Sequence, residues 1–549
     1  MPKPPPDQAE LSPEIARRRT FAIISHPDAG KTTLTERFLL HSGAIRMAGH
    51  VRAKGDARRT RSDFMTIERD RGISVTASAM SFDFRHFRFN LVDTPGHADF
   101  SEDTYRTLTA VDAAIMVIDG AKGVESQTRK LFEICRLRDM PILTFCNKMD
   151  QDARDTLDII EEIQDLLAID VTPVNWPIGS GADFFGCYDV KDGQAVVFDR
   201  TGNRSGDRPA RRYRLDDSRL DELLPAGRLD ALREDVEMVR ELLPGHDRDA
   251  FLAGNLTPIW FGSALHSFGV TELMDGICSL APAPAARTTN ERQVSPDDPQ
   301  VSGFVFKVQA NMDPRHRDRI AFLRLCSGQF RRGMKLHQVR SGKTLTMASP
   351  KLFLAADRSL AEEAWAGDII GIPNHGQLRI GDSLTEGEHL TFTGVPTFAP
   401  EILRRVHVES PLMTKHLEKA LNQFAEEGLA KLFRPRFGTQ WIVGVIGDLQ
   451  LDVLAFRLAE EYRIPVRFES TPFTSARWMT GPEPLIDTFA LANKQHMAVD
   501  HDGDTVYLTR LAWDIQRVER DYPELALAAT KESLRPVTGP DRPKRAGVH

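Results

Sequence analysis

One short stretch, residues 21–34, constrains the fold of this chain more than any other. An apolar run with strand character at 21–24 leads into a turn of small residues, which closes on Gly-Lys-Thr at 30–32 before an amphipathic segment. Backbone N–H groups at a helix N-terminus bind anions, a lysine here reaches the β- and γ-phosphates, and the next hydroxyl binds Mg²⁺. The stretch predicts a phosphate-binding loop, although Ser25 stands where the pattern G-x-x-x-x-G-K-[ST] has its first glycine.

The composition is that of an ordinary globular protein, with 41% hydrophobic and 27% charged residues. A length of 549 residues predicts two to four domains. No apolar run approaches the roughly 20 residues of a bilayer-spanning helix, and the N-terminus lacks the apolar segment of a signal peptide. Five cysteines, odd in number and far apart, favour reduced thiols in a cytoplasmic protein. A net charge of -7 argues against a general nucleic-acid coat, while local basic clusters remain available to dock on RNA. We expect no membrane or DNA partner.

Strand and helix signals alternate from residue 21 onward, which predicts a mostly parallel sheet covered on both faces. Four further motifs follow in order: Arg-Gly-Ile-Ser at 71–74, Asp-Thr-Pro-Gly-His at 93–97, Asn-Lys-Met-Asp at 147–150 and Ser-Ala-Leu at 263–265. An aspartate at a strand tip before a glycine turn suits a carboxylate near Mg²⁺ and an N–H that senses the γ-phosphate.

The motif at 147–150 selects the base. A phosphate loop alone leaves ATPases, kinases and GTPases open. A carboxylate at the end of Asn-Lys-x-Asp can accept the N1–H and N2–H₂ donors of guanine, which adenine does not present as a pair. The order of the motifs therefore predicts that the chain binds GTP and GDP.

Together these motifs resemble those of the translational GTPases and, within that family, of the class-II peptide chain release factors. The resemblance continues through residues 303–314 and 445–454 and covers essentially residues 15–530, and serine at position 25 is itself a feature of this group. It implies a GTPase that uses Mg²⁺, is stimulated by the ribosome and ejects class-I release factors after peptide release. We expect the chain to be cytoplasmic and monomeric.

We expect an α/β chain in which a P-loop GTPase domain with a mostly parallel sheet precedes a β-barrel domain and a ferredoxin-like α/β C-terminal domain. Evenly spaced β-runs predict the barrel, and a β-α-β-α-β order predicts the last domain. The predicted divisions are a mobile leader at 1–18, the GTP-binding domain at 19–285 with an insertion at about 151–257, a linker at 286–300, the barrel at 301–396, the α/β domain at 397–535 and a disordered tail at 536–549. The sequence shows no internal repeat.

The predicted site combines residues from all five segments. The expected nucleotide-binding residues are Ser25, His26, Pro27, Asp28, Ala29, Gly30, Lys31, Thr32, Thr33, Asp93, Thr94, Pro95, Gly96, His97, Asn147, Lys148, Met149, Asp150, Ser263, Ala264 and Leu265. Lys31 is also expected to supply positive charge during phosphoryl transfer. By resemblance, Mg²⁺ is held by Thr32, by Ser74 in the GTP state and by Asp93 through water. His97 by the same resemblance positions the attacking water, the alternative being that it only caps the following helix.

Three other functions remain open. One is that of another ribosomal GTPase, such as a translocase like elongation factor G. The second is a GTP-dependent binding module without turnover, and the third is a metabolic enzyme subunit that uses the same core.

A separate acidic run, residues 500–504, resembles part of a calcium-binding loop. It lacks the later bidentate glutamate that completes an EF-hand loop. The run therefore predicts a hairpin turn.

Overall fold

The computed structural model describes residues 8–45, 77–198, 210–243, 245–310, 319–354, 357–408, 410–438 and 440–532. Ser74 and the tail predicted at 536–549 lie outside these residues and stay predictions. None of the helices in these ranges combines the length and the apolar composition needed to cross a bilayer.

One seven-stranded sheet organises the N-terminal half. Its strands and those of the insertion are β1 (Arg18–Ser25), β2 (Ser78–Phe84), β3 (Phe87–Asp93), β4 (Ala113–Asp119), β5 (Ile142–Asn147), β6 (Asp170–Pro173), β7 (Asn175–Ile178), β8 (Gly186–Asp189), β9 (Gln194–Phe198), β10 (Ala210–Arg214) and β11 (Leu256–Phe261). The sheet order is β2-β3-β1-β4-β5-β11-β6, and only the β2-β3 pair is antiparallel. The predicted mostly parallel sheet is confirmed.

Helices cover both faces of this sheet. The helices of the N-terminal half are α1 (Gln8–Ala16), α2 (Lys31–His41), α3 (Ser101–Thr109), α4 (Ser126–Arg136), α5 (Thr156–Leu167), α6 (Arg219–Leu223), α7 (Arg228–Leu242), α8 (Arg248–Leu252) and α9 (Val270–Leu280). Of these, α1 packs on the second domain and not on this sheet. Ala22 and Ile24 of β1 pack in one apolar cluster with α4 and α5, whereas Phe21 and Ile23 pack in another with α2 and α9. The continuous apolar run of β1 follows from this, because a strand buried on both faces has no polar side.

The long insertion carries structure of its own, as its length predicts. Its strands β7 to β10 form a second, antiparallel sheet in the order β10-β9-β8-β7, whereas β6 belongs to the seven-stranded sheet. Helices α6, α7 and α8 follow β10 along the chain.

The mobile leader predicted at 1–18 is wrong for residues 8–18. These residues form α1 and the start of β1. Ile15 is buried against Ala366 in the following domain, and Arg18 Nε lies 2.9 Å from Asp368. A tertiary contact therefore orders a segment whose prolines and polar residues favoured a mobile one.

The second domain consists of short antiparallel strands. They are β12 (Arg287–Thr288), β13 (Gln293–Val294), β14 (Ser302–Ala310), β15 (Arg319–Ser327), β16 (Gln329–Arg331), β17 (Lys335–Gln338), β18 (Lys343–Thr346), β19 (Lys351–Leu354), β20 (Asp357–Leu360), β21 (Glu363–Trp365), β22 (Ile369–Pro373) and β23 (Ser383–Thr385). Eight of them follow one another in the order β18-β17-β23-β14-β15-β22-β19-β20. Within the described ranges no pairing joins β18 to β20, so closure of the barrel stays a prediction.

The C-terminal domain is an α/β structure with one eight-stranded sheet. Its elements are β24 (Pro396–Phe398), β25 (Ile402–Val408), α10 (Thr414–Glu426), β26 (Lys431–Pro435), β27 (Ile442–Val445), α11 (Asp448–Tyr462), β28 (Val466–Ser470), β29 (Ser475–Thr480), α12 (Glu483–Ala492), β30 (Met497–Asp500), β31 (Thr505–Thr509), α13 (Ala512–Asp521), β32 (Ala526–Ala528) and β33 (Thr530–Glu532). The order of its sheet is β28-β25-β27-β26-β30-β31-β29-β32. The ferredoxin-like prediction is confirmed, with β26 as a strand that the sequence pattern missed.

The same order of elements, β-α-β-β-α-β, occurs twice in this domain. The first unit runs from β25 to β28 and the second from β29 to β32, and they join where β26 pairs with β30. The structure therefore repeats a unit although the sequence shows no repeat. Such a repeat needs only apolar residues on matching faces, which many different sequences supply.

Buried charges join the first two domains. The Asp112 carboxylate, 1% exposed, accepts hydrogen bonds from Arg324 at 2.6 Å and from Arg287 at 2.7 Å. Thr20 and Asn90 of the seven-stranded sheet also donate to the carbonyl of Gly367, at 2.6 and 3.2 Å. The interface is therefore held by specific polar contacts that must form together.

We expect Asp112→Ala to lower the free energy of unfolding by about 3–5 kcal/mol, because it leaves the Arg324 guanidinium buried without its carboxylate. Urea unfolding followed by circular dichroism measures this loss. The matched control is Asp230→Ala, since Asp230 forms an exposed pair with Arg233, whose loss should cost at most about 1 kcal/mol. Equal losses in the two variants would contradict the importance of the buried pair.

Candidate nucleotide-binding site

The predicted site residues that lie within the described ranges gather at one edge of the seven-stranded sheet. In the sheet register Ile23 pairs with Asp93, Asp119 pairs with Asn147, and Cys146 pairs with Phe261. The carboxyl ends of the parallel strands β1, β3, β4, β5 and β11 therefore lie side by side. This is the edge at which open α/β sheets bind their ligands.

The phosphate loop connects β1 to α2 with two residues in left-handed backbone conformations. Asp28 has φ of 65° and Gly30 has φ of 95°. A Cβ atom on Gly30 would lie 2.2 Å from Nδ2 of Asn147, so no side chain fits there. Helix α2 begins at Lys31, and Thr32 and Thr33 in its first turn are half-buried. The loop thus presents a helix N-terminus as an anion-binding site.

The start of the phosphate loop is buried. Ser25 is 1% exposed, and its hydroxyl has no hydrogen-bond partner among the described residues. The His26 Nε2 atom lies 3.2 Å from the Glu125 carboxylate, which comes directly before α4. This contact links the phosphate loop to the segment between β4 and α4.

A buried ion pair lies between the phosphate loop and the segment after β3. The Lys31 ammonium contacts Asp93 at 2.5 Å, and both side chains are buried. Thr94 donates its hydroxyl proton to the Ile23 carbonyl at 2.7 Å, and Gly96 lies against Pro27. The predicted lysine, the predicted Mg²⁺ carboxylate and the predicted γ-phosphate sensor are therefore neighbours.

Asn147 holds the phosphate side and the base side of the site together. Its Nδ2 donates to the Ala29 carbonyl at 2.8 Å, and its Oδ1 accepts the Ala264 N–H at 2.8 Å. The side chain is 2% exposed. A single amide therefore links the loop at 26–30 to the segment at 263–265.

The other residues of this motif have different roles. Lys148 has φ of 68°, and its Nζ lies 2.7 Å from Asp119. Met149 is 1% exposed and packs in the apolar core, so its side chain supports the fold and does not reach the site. Leu265 contributes its backbone, since its carbonyl accepts a hydrogen bond from Arg37 at 2.6 Å while its side chain is 47% exposed.

Asp150, the predicted guanine-binding carboxylate, is kept ionised. Burial acts to raise the pKa of its carboxyl, but hydrogen bonds from His266 and Ser263 outweigh this effect and lower the pKa. The His266 Nε2 atom lies 3.5 Å from Asp150. The sequence motifs missed His266, Arg37 and Asp119, because their contacts depend on how separate strand ends meet.

His97 caps the short 3₁₀ helix Ala98–Phe100. Its Nδ1 accepts the Asp99 N–H at 3.2 Å, and its side chain is 38% exposed. The capping alternative is therefore observed. The contact uses Nδ1 and leaves Nε2 for a second role.

The segment after His97 contacts both other domains. Asp99 accepts the Leu449 N–H at 2.8 Å, and the buried Glu102 contacts Lys431 at 2.7 Å, both partners lying in the C-terminal domain. Asp103 accepts the Ala77 N–H at 2.8 Å and lies 3.2 Å from Lys307 of β14. A movement of the backbone near His97 would therefore alter the contacts between the GTP-binding domain and both other domains.

The acidic run at 500–504 is the hairpin turn that the sequence predicts. Asp500 accepts the N–H groups of Asp502 and Asp504 at 3.0 and 2.9 Å. The Lys531 ammonium lies 2.6, 3.1 and 2.7 Å from the three carboxylates. Burial alone would lower the pKa of Lys531, but Asp500 and Asp502 raise it, so this ammonium neutralises the cluster.

Comparison with known proteins agrees with this architecture. Residues 16–283 match the family model of the elongation factor Tu GTP binding domain, and residues 300–387 match that of elongation factor G domain 2. Residues 392–519 match the C-terminal domain of class II release factor RF3. A crystal structure of a protein from Thermus thermophilus has a similar fold, with a TM-score of 0.67 and 23% identity over 88% of this chain and 72% of that chain. The chain therefore has the domain order of a translational GTPase, and its C-terminal domain matches that of the class II release factors.

Proposed function

We propose that this chain is a GTPase of translation termination. It hydrolyses GTP to GDP and phosphate on the ribosome, and the accompanying conformational change ejects the class-I release factor after peptide release. The observation that carries the proposal is the convergence of the phosphate loop, Asp93 and Asp150 at one sheet edge, held by Asn147. The C-terminal match to class II release factors supports termination as the process. We infer that the chain acts as a cytoplasmic monomer.

The charge of Asp150 supports guanine as the base. An ionised carboxylate accepts hydrogen bonds and donates none, which suits the N1–H and N2–H₂ donors of guanine. Adenine presents an unprotonated N1, which would face the same carboxylate without a proton between them. The lowered pKa of Asp150 keeps it in the accepting form at neutral pH.

The surroundings of Lys31 suit phosphates and Mg²⁺. Lys31 has three N–H donors and uses one on Asp93 at 2.5 Å, so two remain for phosphate oxygens. Thr32, Ser74 and, through water, Asp93 would hold Mg²⁺, which when bound supplies positive charge to the phosphoryl oxygens. Lys31 and the N-terminus of α2 stabilise the negative charge that develops there.

His97 is proposed to position the attacking water. Its Nδ1 is occupied by Asp99, at 3.2 Å from the backbone nitrogen and 3.3 Å from the carboxylate, so Nε2 is the ring nitrogen left to contact a water molecule. Capping and water positioning use different ring nitrogens, so the two roles are compatible.

The contacts of the segment at 97–103 support a conformational switch. A nucleotide-dependent movement of this segment would act on Leu449 and Lys431 in the C-terminal domain and on Lys307 in the second domain. Release of the γ-phosphate is the event that frees such segments in nucleotide switches.

The decisive experiment follows a labelled class-I release factor on ribosomes after peptide release, with GTP, a non-hydrolysable analogue or no nucleotide. We expect dissociation to require this chain and GTP. Movement of tRNA in its place would identify a translocase like elongation factor G. Binding of GTP without phosphate release would identify a binding module, and stimulation by a small molecule alone would identify a metabolic subunit.

Asp150→Asn should weaken GDP binding by about 100-fold or more, because it removes charge-assisted hydrogen bonds worth about 1.5–3 kcal/mol each. The amide should instead favour xanthosine diphosphate, whose C2 oxygen can accept its N–H. Titration with fluorescent nucleotides measures both affinities. Asp152→Asn, two residues away on an exposed position, is the control. Unchanged GDP affinity would rule out the role of Asp150.

His97→Ala should leave GTP affinity unchanged and lower ribosome-stimulated turnover by about 100-fold or more, the range that loss of a positioned proton-transfer group produces. Phosphate release with and without ribosomes measures the effect. The exposed His86 in the turn between β2 and β3 supplies the control variant His86→Ala. Stimulated rates equal to those of the unaltered protein would exclude this role.

His266→Ala should weaken GDP binding by about tenfold, because Asp150 loses a charged hydrogen bond worth about 1.5 kcal/mol. His266→Gln, which keeps an N–H donor, should restore part of the affinity. Stopped-flow nucleotide dissociation measures both, with His246→Ala on the exposed segment at 245–247 as the control. Failure of glutamine to rescue would argue for a packing role.

A further inference from the structure

One end of the first unit of the C-terminal domain is built from two loops that lie together. Strands β25 and β27 are antiparallel, and the Val406 N–H donates to the Trp441 carbonyl at 3.0 Å. The loop that follows β25 therefore begins beside the point where the hairpin between β26 and β27 ends. Met413 and Trp441, one from each segment, pack on the same apolar core. We name this surface the hairpin end.

The hairpin end exposes large apolar side chains. Leu412 is 88% exposed in the first loop, and Phe437 is 68% exposed in the hairpin. Single exposed apolar residues are common on proteins. Two of them on adjacent loops, one aromatic, are more typical of an interaction surface.

Apart from Glu409, which lies outside the described residues, the charged residues of these two segments are cations. Residues 410–417 and 434–441 contain no aspartate or glutamate, and they carry the exposed cations Lys415, Arg434 and Arg436. A third segment, 493–498, also lacks acidic residues and adds the exposed Lys494. The Arg436 N–H donates to the Met497 carbonyl at 2.8 Å, which brings this segment beside the hairpin.

These four cations differ from Arg457 and Lys531 of the same domain, which form ion pairs. Arg457 pairs with Glu427 at 2.7 Å, and Lys531 pairs with three aspartates. Within the described ranges no ion pair forms at Lys415, Arg434, Arg436 or Lys494. Glu418, half-buried on α10, is the nearest acidic residue that follows the first loop.

We propose that the hairpin end docks on ribosomal RNA, with the four cations on phosphates and Phe437 on an exposed base. This inference rests on the proposed function, because it assumes that the chain acts on the ribosome. RNA fits better than a protein surface, because it offers a dense row of negative charge together with bases that stack on aromatic rings. An apolar protein partner would leave four cations to be desolvated without a counter-charge.

The hairpin end is accessible while the GTP-binding domain is docked. That domain contacts Lys431, at the first residue of β26, and Leu449 at the N-terminus of α11. The hairpin follows the last residue of the five-residue β26. A strand rises about 3.3 Å per residue, so the Lys431 contact and the first hairpin residue, Arg436, are separated by about 16 Å along the chain.

Photocrosslinking tests which partner lies against this surface. The variant Phe437→p-benzoylphenylalanine is bound to ribosomes with a non-hydrolysable GTP analogue and irradiated. We expect a crosslink to ribosomal RNA. The control is Leu137→p-benzoylphenylalanine, since Leu137 is 87% exposed directly after α4 in the GTP-binding domain. A crosslink to ribosomal protein alone, or a yield no higher than that of the control, would overturn the proposal.

The double variant Lys415→Ala/Arg436→Ala tests the phosphate contacts. We expect ribosome affinity to fall about tenfold and the slope of log K against log salt to decrease by about 0.7–0.9 for each lost contact. GDP affinity and the urea midpoint should not change, which separates docking from folding. Arg129→Ala/Lys130→Ala on the exposed side of α4 is the control.

The outcomes distinguish this inference from the proposed function. If the unaltered chain is stimulated by ribosomes and the double variant binds with the same affinity and slope, only the hairpin-end proposal fails. If the unaltered chain neither binds ribosomes nor responds to them, both proposals fail.

Discussion

The nucleotide site depends on one buried amide. Asn147 contacts the phosphate loop through Ala29 and the segment after β11 through Ala264, so one side chain fixes the distance between the two halves of the site. Each contact satisfies a backbone group in a buried position, where an unsatisfied group costs about 1–3 kcal/mol. The same amide requires glycine at position 30, because any Cβ atom there would collide with the Asn147 side chain. The site is therefore pre-formed by packing.

The stretch that follows His97 carries the domain contacts. Glu102 and Asp103 are adjacent on α3, yet Glu102 contacts the C-terminal domain and Asp103 contacts the second domain. Asp112, a few residues later, holds a further buried pair with Arg324. Separating the partners of a buried ion pair is energetically costly, because each charge is then left buried without its partner. A movement that begins at the nucleotide must therefore rearrange these contacts as a set, which suits a switch with discrete states.

The sequence predicted the sheet, the meeting of the four described motifs at one sheet edge and the hairpin at 500–504. Each depends on local chemistry: alternation of apolar runs, glycine turns and residues of fixed hydrogen-bonding type. The sequence failed where partners come from distant segments. His266 became part of the base pocket only through the turn that brings it to Asp150, and α1 is ordered by Ala366, which lies more than 300 positions away. The core position of Met149 is another such case, because a motif does not state which side chains point inward.

Residue types and their spacing were enough to predict the nucleotide chemistry, since a lysine, an aspartate and an asparagine at these spacings beside a glycine turn are typical of few other sites. Which charges are neutralised was settled only when the chain folded. Asp500 and its neighbours could have held a cation, but Lys531 takes that place. The repeat in the C-terminal domain also appears only in the tertiary structure. Its two halves share a topology without sharing a sequence, and the pairing of β26 with β30 joins them. Pairing and burial act between residues far apart in the chain, and no local pattern records them.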